Sequence, residues 1–173
     1  MDDVLVEFGL PDDLVEEPAP AGAPDPVGPA PFFLGHRDVT PENTVFRDGQ
    51  AHALIDFDLL QPSTRIDEVA SLLLWWAGWM PPEDRDPALH GVDPAVRGRV
   101  LVDAYGHDDD ERGWVVPVCI SNAERAWFLM RERADRLGGG WLRMWQDGVG
   151  GTIKRREQWL LTNQGQLGHA LTD

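Results

Sequence analysis

The 173-residue chain has a single cysteine, a single lysine and a shortage of positive charge overall. With Cys119 alone, no intrachain disulfide can form, and the expectation is a cytoplasmic protein. Lysine is reduced to Lys154, and every other fixed cation is an arginine. The planar guanidinium fork of arginine does not replace a compact ammonium. The formal net charge is -15, which argues against nucleic acid and anionic membranes as partners. The acid excess is compatible with a cationic substrate, and equally with a plain role in solubility. No apolar run approaches the ~20 residues that a bilayer-spanning helix needs. The N-terminus, MDDVLVEFGLPDD, is acidic and lacks the basic start of a signal peptide. There is no internal repeat, and no G-x-S-x-G to mark a nucleophilic serine.

With 42% hydrophobic residues, the chain has enough apolar material for one domain with a core. Residues 1–31 are acidic and then rich in Pro and Ala, ending in EEPAPAGAPDPVGPAP. That composition predicts a linker or extended segment, partly disordered, rather than a core strand. Residues 32–168 form the folded part.

The most informative stretch is HRDVTPENTVFRDGQAHALIDFD, residues 36–58. Thr44-Val45-Phe46 and Ala51 to Ile55 read as short strands. Asp48-Gly49 between them favours the two-residue type I′ turn of an antiparallel hairpin. Such a hairpin brings its ends together, so Asp38 and Asn43 arrive near Asp56. Two carboxylates and an amide oxygen suit a hard cation such as Mg²⁺, and one carboxylate is available as a base. Asp and Asn also cap ordinary turns.

Downstream, Thr64 reads as a helix N-cap with Asp67 three residues on, a capping-box pair. The helix expected from Arg65 to about Trp79 carries Ile66, Val69, Leu72, Leu73 and Trp76 at helical spacing. It is apolar nearly all round and therefore central. Asp93-Pro94 starts and Gly106 stops a further helix over 94–105, with Val96, Val100, Leu101 and Ala104 as its buried stripe. Asp108 to Glu111 opens a long helix or helix pair that ends at Gly138-Gly139-Gly140, kinked or interrupted at Pro117. Final helices over 141–145 and 153–161 are broken at Gly148, Gly150 and Gly151. Cys119, between Val118 and Ile120, reads as an inert core thiol.

The stretch resembles the catalytic loop and metal-binding segment of the aminoglycoside phosphotransferase-like family, relatives of the protein kinases. That pattern, H-x-D-x-x-x-x-N, a hairpin and then I-D-[FW], is met by His36, Asp38, Asn43, Ile55, Asp56 and Phe57. Position 37 is usually Gly in that family and is Arg37 here. Asp103-Ala104-Tyr105-Gly106, Arg143-Met144-Trp145 and Trp159-Leu160 resemble the helical tail of small members. The resemblance thus covers about residues 33–165.

The resemblance implies a mostly helical α+β fold, the C-terminal lobe of a kinase-like protein with a catalytic hairpin packed on a helical bundle. It implies transfer of phosphate from ATP or GTP to a hydroxyl of an aminoglycoside- or amino-alcohol-like small molecule. Asp38 would accept the hydroxyl proton, and Asn43 and Asp56 would hold Mg²⁺. His36, Arg37, Asp58 and Asp67 would support them. His36 would pack beneath the loop, and Asp67, in the family's D-L-A segment, would hold the loop backbone. Asp67 is also an ordinary first-turn carboxylate favoured by the helix dipole.

A glycine-rich phosphate cover and a strand lysine, which kinase-like enzymes carry in an N-terminal lobe, are not visible. The expectation is therefore a lobe truncated or lost, low activity, and an exposed apolar face through which the chain would homodimerise. The rival readings are a non-catalytic remnant that binds a small molecule or protein, and a metal-dependent hydrolase built from His36, Asp38, Asp56 and Asp58.

Overall fold

The computed structural model describes residues 6–7, 9–14 and 18–172. Parts of the acidic N-terminal segment expected over 1–31 lie outside the described residues. Among the described residues from 33 onward, two small antiparallel sheets precede five α-helices. The fold is α+β and mostly helical, as expected. No helix among the described residues is long and apolar enough to cross a membrane.

Strand β1, Phe33–Gly35, pairs with β4, Gln61–Ser63, placing Phe33 opposite Ser63 and Gly35 opposite Gln61. Pro62 is tolerated because this two-stranded sheet has only edges. Between them, β2, Thr44–Arg47, and β3, Gln50–Leu54, form the expected hairpin. Its turn residues Asp48 and Gly49 have φ of 51° and 75°, the positive values that a type I′ turn requires and that Gly adopts freely. The register slips between Val45 and Phe46.

Helix α1, Arg65–Trp76, begins with Thr64 and Asp67 in the predicted capping box. It ends three residues earlier than the apolar run suggests. Ala77 closes it and Gly78 adopts φ 70°, which turns the chain so that the indole of Trp79 is buried and donates to Pro94 O at 2.9 Å. Val69 and Leu73 of α1 are fully buried. They share a core with Val102, Val115, Leu160 and Leu167 from three later helices, so α1 is central, as its composition predicts.

Helix α2, Pro94–Tyr105, has the predicted Asp93 cap and ends at a left-handed Gly106. Of the predicted stripe only Leu101 packs against the core. Val96 and Val100 are 64% and 60% exposed, and Ala104 is exposed; Ala95, Gly98 and Val102 face inward instead. Trp79 decides this. A Cβ on Gly98 would lie 2.7 Å from its Nε1, so only a helix face of small residues lets α2 approach the indole.

Helix α3, Asp109–Leu137, is a single helix that accommodates Pro117 without a break. Helix α4 covers Gly139–Gln146 and α5 covers Val149–Thr172. Asp147 and Gly148, the latter with φ 95°, separate these two. Gly150 was expected to break the chain, but it lies inside α5. There it admits Trp145, whose ring would meet an added Cβ at 2.9 Å. The Pro-rich residues 18–31 have no strand and run along α3: Val27 N donates to Ser121 Oγ at 3.3 Å, and Arg125 donates to Pro24 O.

Candidate active site

The loop between β1 and β2 is held from below by α1. His36 is 1% exposed. Its backbone N–H donates to Glu68 Oε2 at 3.1 Å, and its ring Nε2–H donates to Ile55 O at 2.9 Å. The imidazole also lies 4.7 Å from the Phe57 ring. This is the packed, structural role expected of it, and it ties the start of the loop to the far end of the hairpin.

The next residue, Arg37, adopts φ 61°, a left-handed conformation that costs a non-glycine residue. Its guanidinium reaches Asp67 Oδ1 at 2.5 Å and donates to Asn122 Oδ1 at 3.4 Å. Asn122 in turn donates to Asp67 Oδ1 at 3.1 Å. Burial alone would raise the Asp67 carboxyl, but the adjacent Arg37 charge and the bonds from Asn122, Arg37 and Thr64 outweigh it and hold the group below its ordinary value.

Asp67 therefore anchors Arg37 and caps α1. The residue that holds the loop backbone is its neighbour Glu68, which is 4% exposed and also accepts from Ser63 Oγ at 2.8 Å. The sequence named the right helix turn and the wrong carboxylate. Both acids sit in the first turn of α1, and only the tertiary contact separates them.

Asp38 follows, half-buried at the loop's apex. Two contacts with α1 fix the backbone of Val39 beside it: Val39 N donates to Ser71 Oγ at 3.1 Å, and Trp76 Nε1 donates to Val39 O at 2.8 Å. Asn43 Nδ2 donates both to Asp38 Oδ2 at 2.9 Å and to Asp38 O at 3.0 Å. The Asp38 carboxyl is pushed above its ordinary value. Burial is the main cause, Asn43 and His36 pull it back, and the charges of Asp56 and Glu42 push it further up. Ile55 N donates to Asn43 O at 3.0 Å, which places Asp56 one residue from this clasp. Asp56 is exposed and also left-handed, with φ 63°. Asp58 is exposed, in the turn after the hairpin.

Sequence reasoning missed Glu68, Ser71, Trp76 and Asn122. Asn122 lies 85 residues from Arg37 and carried no local signal. Arg37 itself is committed to Asp67 and Asn122.

The donor set can be weighed against a hard cation. Asn43 uses its NH₂ on Asp38, so its carbonyl oxygen faces away from that contact. Asp56 is exposed beside it, and its charge is felt by Asp38. An amide oxygen and one or two carboxylates suit Mg²⁺ that brings its own phosphate ligands. The hydrolase cluster does not assemble. His36 is buried with Nε2 bonded to Ile55, and among the described residues no three His, Cys, Asp or Glu form a metal-competent group.

Large apolar side chains stand exposed around the site: Phe46, Ile55, Phe57 and Leu60 are 41–48% accessible.

Compared with known families, the model described as "Phosphotransferase enzyme family" matches residues 7–105. The match takes in the loop, the hairpin, α1 and α2, and stops before α3. No curated protein and no solved structure matches the chain.

Proposed function

Because the chain belongs to the phosphotransferase enzyme family, we propose that the site between β1 and β3 transfers the terminal phosphate of ATP or GTP to a hydroxyl of a small molecule. The observation that carries the reading is the Asp38–Asn43 clasp, closed by Ile55 against the end of the hairpin. Asn43 and Asp56 would hold the magnesium of the nucleotide. When bound, the magnesium nucleotide supplies the phosphoryl group and offsets the charge that develops on it.

Asp38 takes the proton of the acceptor hydroxyl on its carboxylate. Its raised pKa makes it a better proton acceptor than an exposed aspartate. Asn43 orients it through Oδ2, leaving Oδ1 to the substrate. The loop is positioned by Glu68, Ser71 and Trp76, so the base is set before substrate arrives and no ordering is needed at the moment of reaction. Lys154 is the only lysine, and in α5 it bonds to Glu157 at 2.8 Å. Within these 173 residues no lysine is placed as a phosphate clamp of the kinase kind.

The experiment is transfer of labelled phosphate from ATP or GTP to a panel of small alcohols. Transfer lost in both Asp38→Ala and Asp56→Ala supports the reading. Transfer unaffected by Asp38→Ala rejects it.

A further inference from the structure

Three alanines, Ala70 of α1 with Ala123 and Ala126 of α3, leave a cavity of about 190 Å³ bounded on its third side by α5. Drug-sized pockets run to roughly 300–1,000 Å³, so this one encloses a small metabolite and not a multi-ring amino sugar. Its wall reaches Arg37 and Ser71. These grip the loop on either side of Asp38, so the cavity adjoins the proposed site.

Most of its polar groups are already matched. Arg37, Asp67 and Asn122 satisfy one another and carry no net charge. Arg156 of α5 does not fit this pattern. Its Nε is buried without a partner, and no hydrogen bond or ion pair among the described residues uses its guanidinium. The nearest acid, Asp84, is gripped by Arg155 through both oxygens. The Arg156 guanidinium instead lies over the Trp75 ring, 5.4 Å from its centre. Burial pulls its pKa down to about 10, only partly offset by Asp84. A partly buried cation over an aromatic face, with its Nε–H unmatched, fits an ionised oxygen acid, which the guanidinium fork grips in two bonds.

We propose that this cavity binds the carboxylate or phosphate of a small hydroxylated metabolite, with the Arg156 guanidinium as its fork and the Trp75 ring beneath it. The proposal rests on the phosphotransfer reading only in calling that metabolite the acceptor. An anionic acceptor differs from the cationic one that the overall charge suggests. Arg156 of α5 lies outside the stretch matched by the family, whereas Trp75 of α1 lies within it.

Calorimetric titration of the full chain tests it. The probes are glycerol 3-phosphate and gluconate, with glycerol and glucose as neutral counterparts and choline as a cation. At least one anion should bind saturably below about 1 mM, and its neutral counterpart should not. Arg156→Met removes a partly buried charge that pairs with no acid among the described residues, so it should fold with an unchanged or higher melting temperature while losing at least about tenfold in anion affinity. Should that variant fail to fold, Arg156→Lys carries the same test, because an ammonium cannot form the two-pronged contact. Comparing glycerol 3-phosphate with gluconate tells a phosphate preference from a carboxylate one.

No saturable anion binding, equal binding of glycerol or glucose, or undiminished binding to Arg156→Met or Arg156→Lys would overturn the proposal. Asp38→Ala separates the two claims, since it should still bind the anion. Anion binding without transfer rejects the phosphotransfer reading alone. Transfer to choline without anion binding rejects the subsite alone.

Discussion

Gly35→Ala is the sharpest perturbation of the loop that presents Asp38. A Cβ on Gly35 falls 2.1 Å from Glu68 Oε1 and 2.5 Å from both Cβ and Oγ of Ser63. Ser63 lies on the strand paired with β1, so it cannot swing aside without opening that ladder. The Glu68 carboxylate is the group left to move, and it holds the His36 N–H. Overpacking of this kind costs roughly 1–3 kcal/mol. Displacing a charged acceptor from a buried N–H costs about 1.5–3 kcal/mol more. A loss of about 3–5 kcal/mol is therefore expected, against a total stability for a domain of about 5–15 kcal/mol. Urea unfolding followed by far-ultraviolet circular dichroism measures it as a shift in midpoint at constant slope. Gly49→Ala is the control: φ is 75° and nothing lies within 4 Å, so only left-handed strain of about 1–2 kcal/mol applies. A Gly35→Ala loss below about 1 kcal/mol, or no larger than that of Gly49→Ala, would refute the role given to Glu68.

The remaining predictions concern Arg37, Asp67 and the α2 face. Arg37→Gly relieves the positive φ but breaks the pair with Asp67, for a net loss of about 1–2 kcal/mol, whereas Arg37→Ala should be worse by about 1 kcal/mol because it keeps the strain; equal losses in chemical denaturation would count against strain at this position. The folded pKa of Asp67 lies below the ordinary value near ~3.9, so its contribution is complete above that value and fades as the pH falls through the folded one. The stability gap between wild type and Asp67→Asn should accordingly be constant at neutral pH and shrink below about pH 4; a gap that widens with acid would be the wrong sign. Gly98→Ala should cost about 1–3 kcal/mol by pressing on Trp79, while Val96→Thr on the exposed face should stay within about 0.5 kcal/mol. Thermal melts that reverse this order would restore the valine stripe as the buried one.

Which features could be read from the sequence follows from how local each one is. The Asp48-Gly49 turn, the Thr64 cap with Asp67, and the Asp93-Pro94 start with its Gly106 stop are set by backbone chemistry within four residues, and each stands where expected. The inward face of α2 is set by Trp79, which lies outside the helix, and a valine pattern carries no record of that. Gly150 has the same ambiguity. A glycine that breaks a helix and one that admits a neighbouring indole look alike in sequence. In the site, the spacing of His36, Asp38, Asn43 and Asp56 was visible because one hairpin joins them. Glu68 was confused with Asp67 because both occupy one helical turn, and the Arg37–Asp67–Asn122 triad and the unmatched Arg156 depend on helices far along the chain.

The central claim is that Asp38 and Asp56 belong to one phosphoryl-transfer site. The most direct measurement is single-turnover transfer of the labelled terminal phosphate of ATP or GTP, with magnesium, to small alcohols by wild type, Asp38→Ala and Asp56→Ala, each first shown to be folded. Transfer by the wild type and none by either variant is the predicted result. Transfer by Asp38→Ala at the wild-type rate would contradict it.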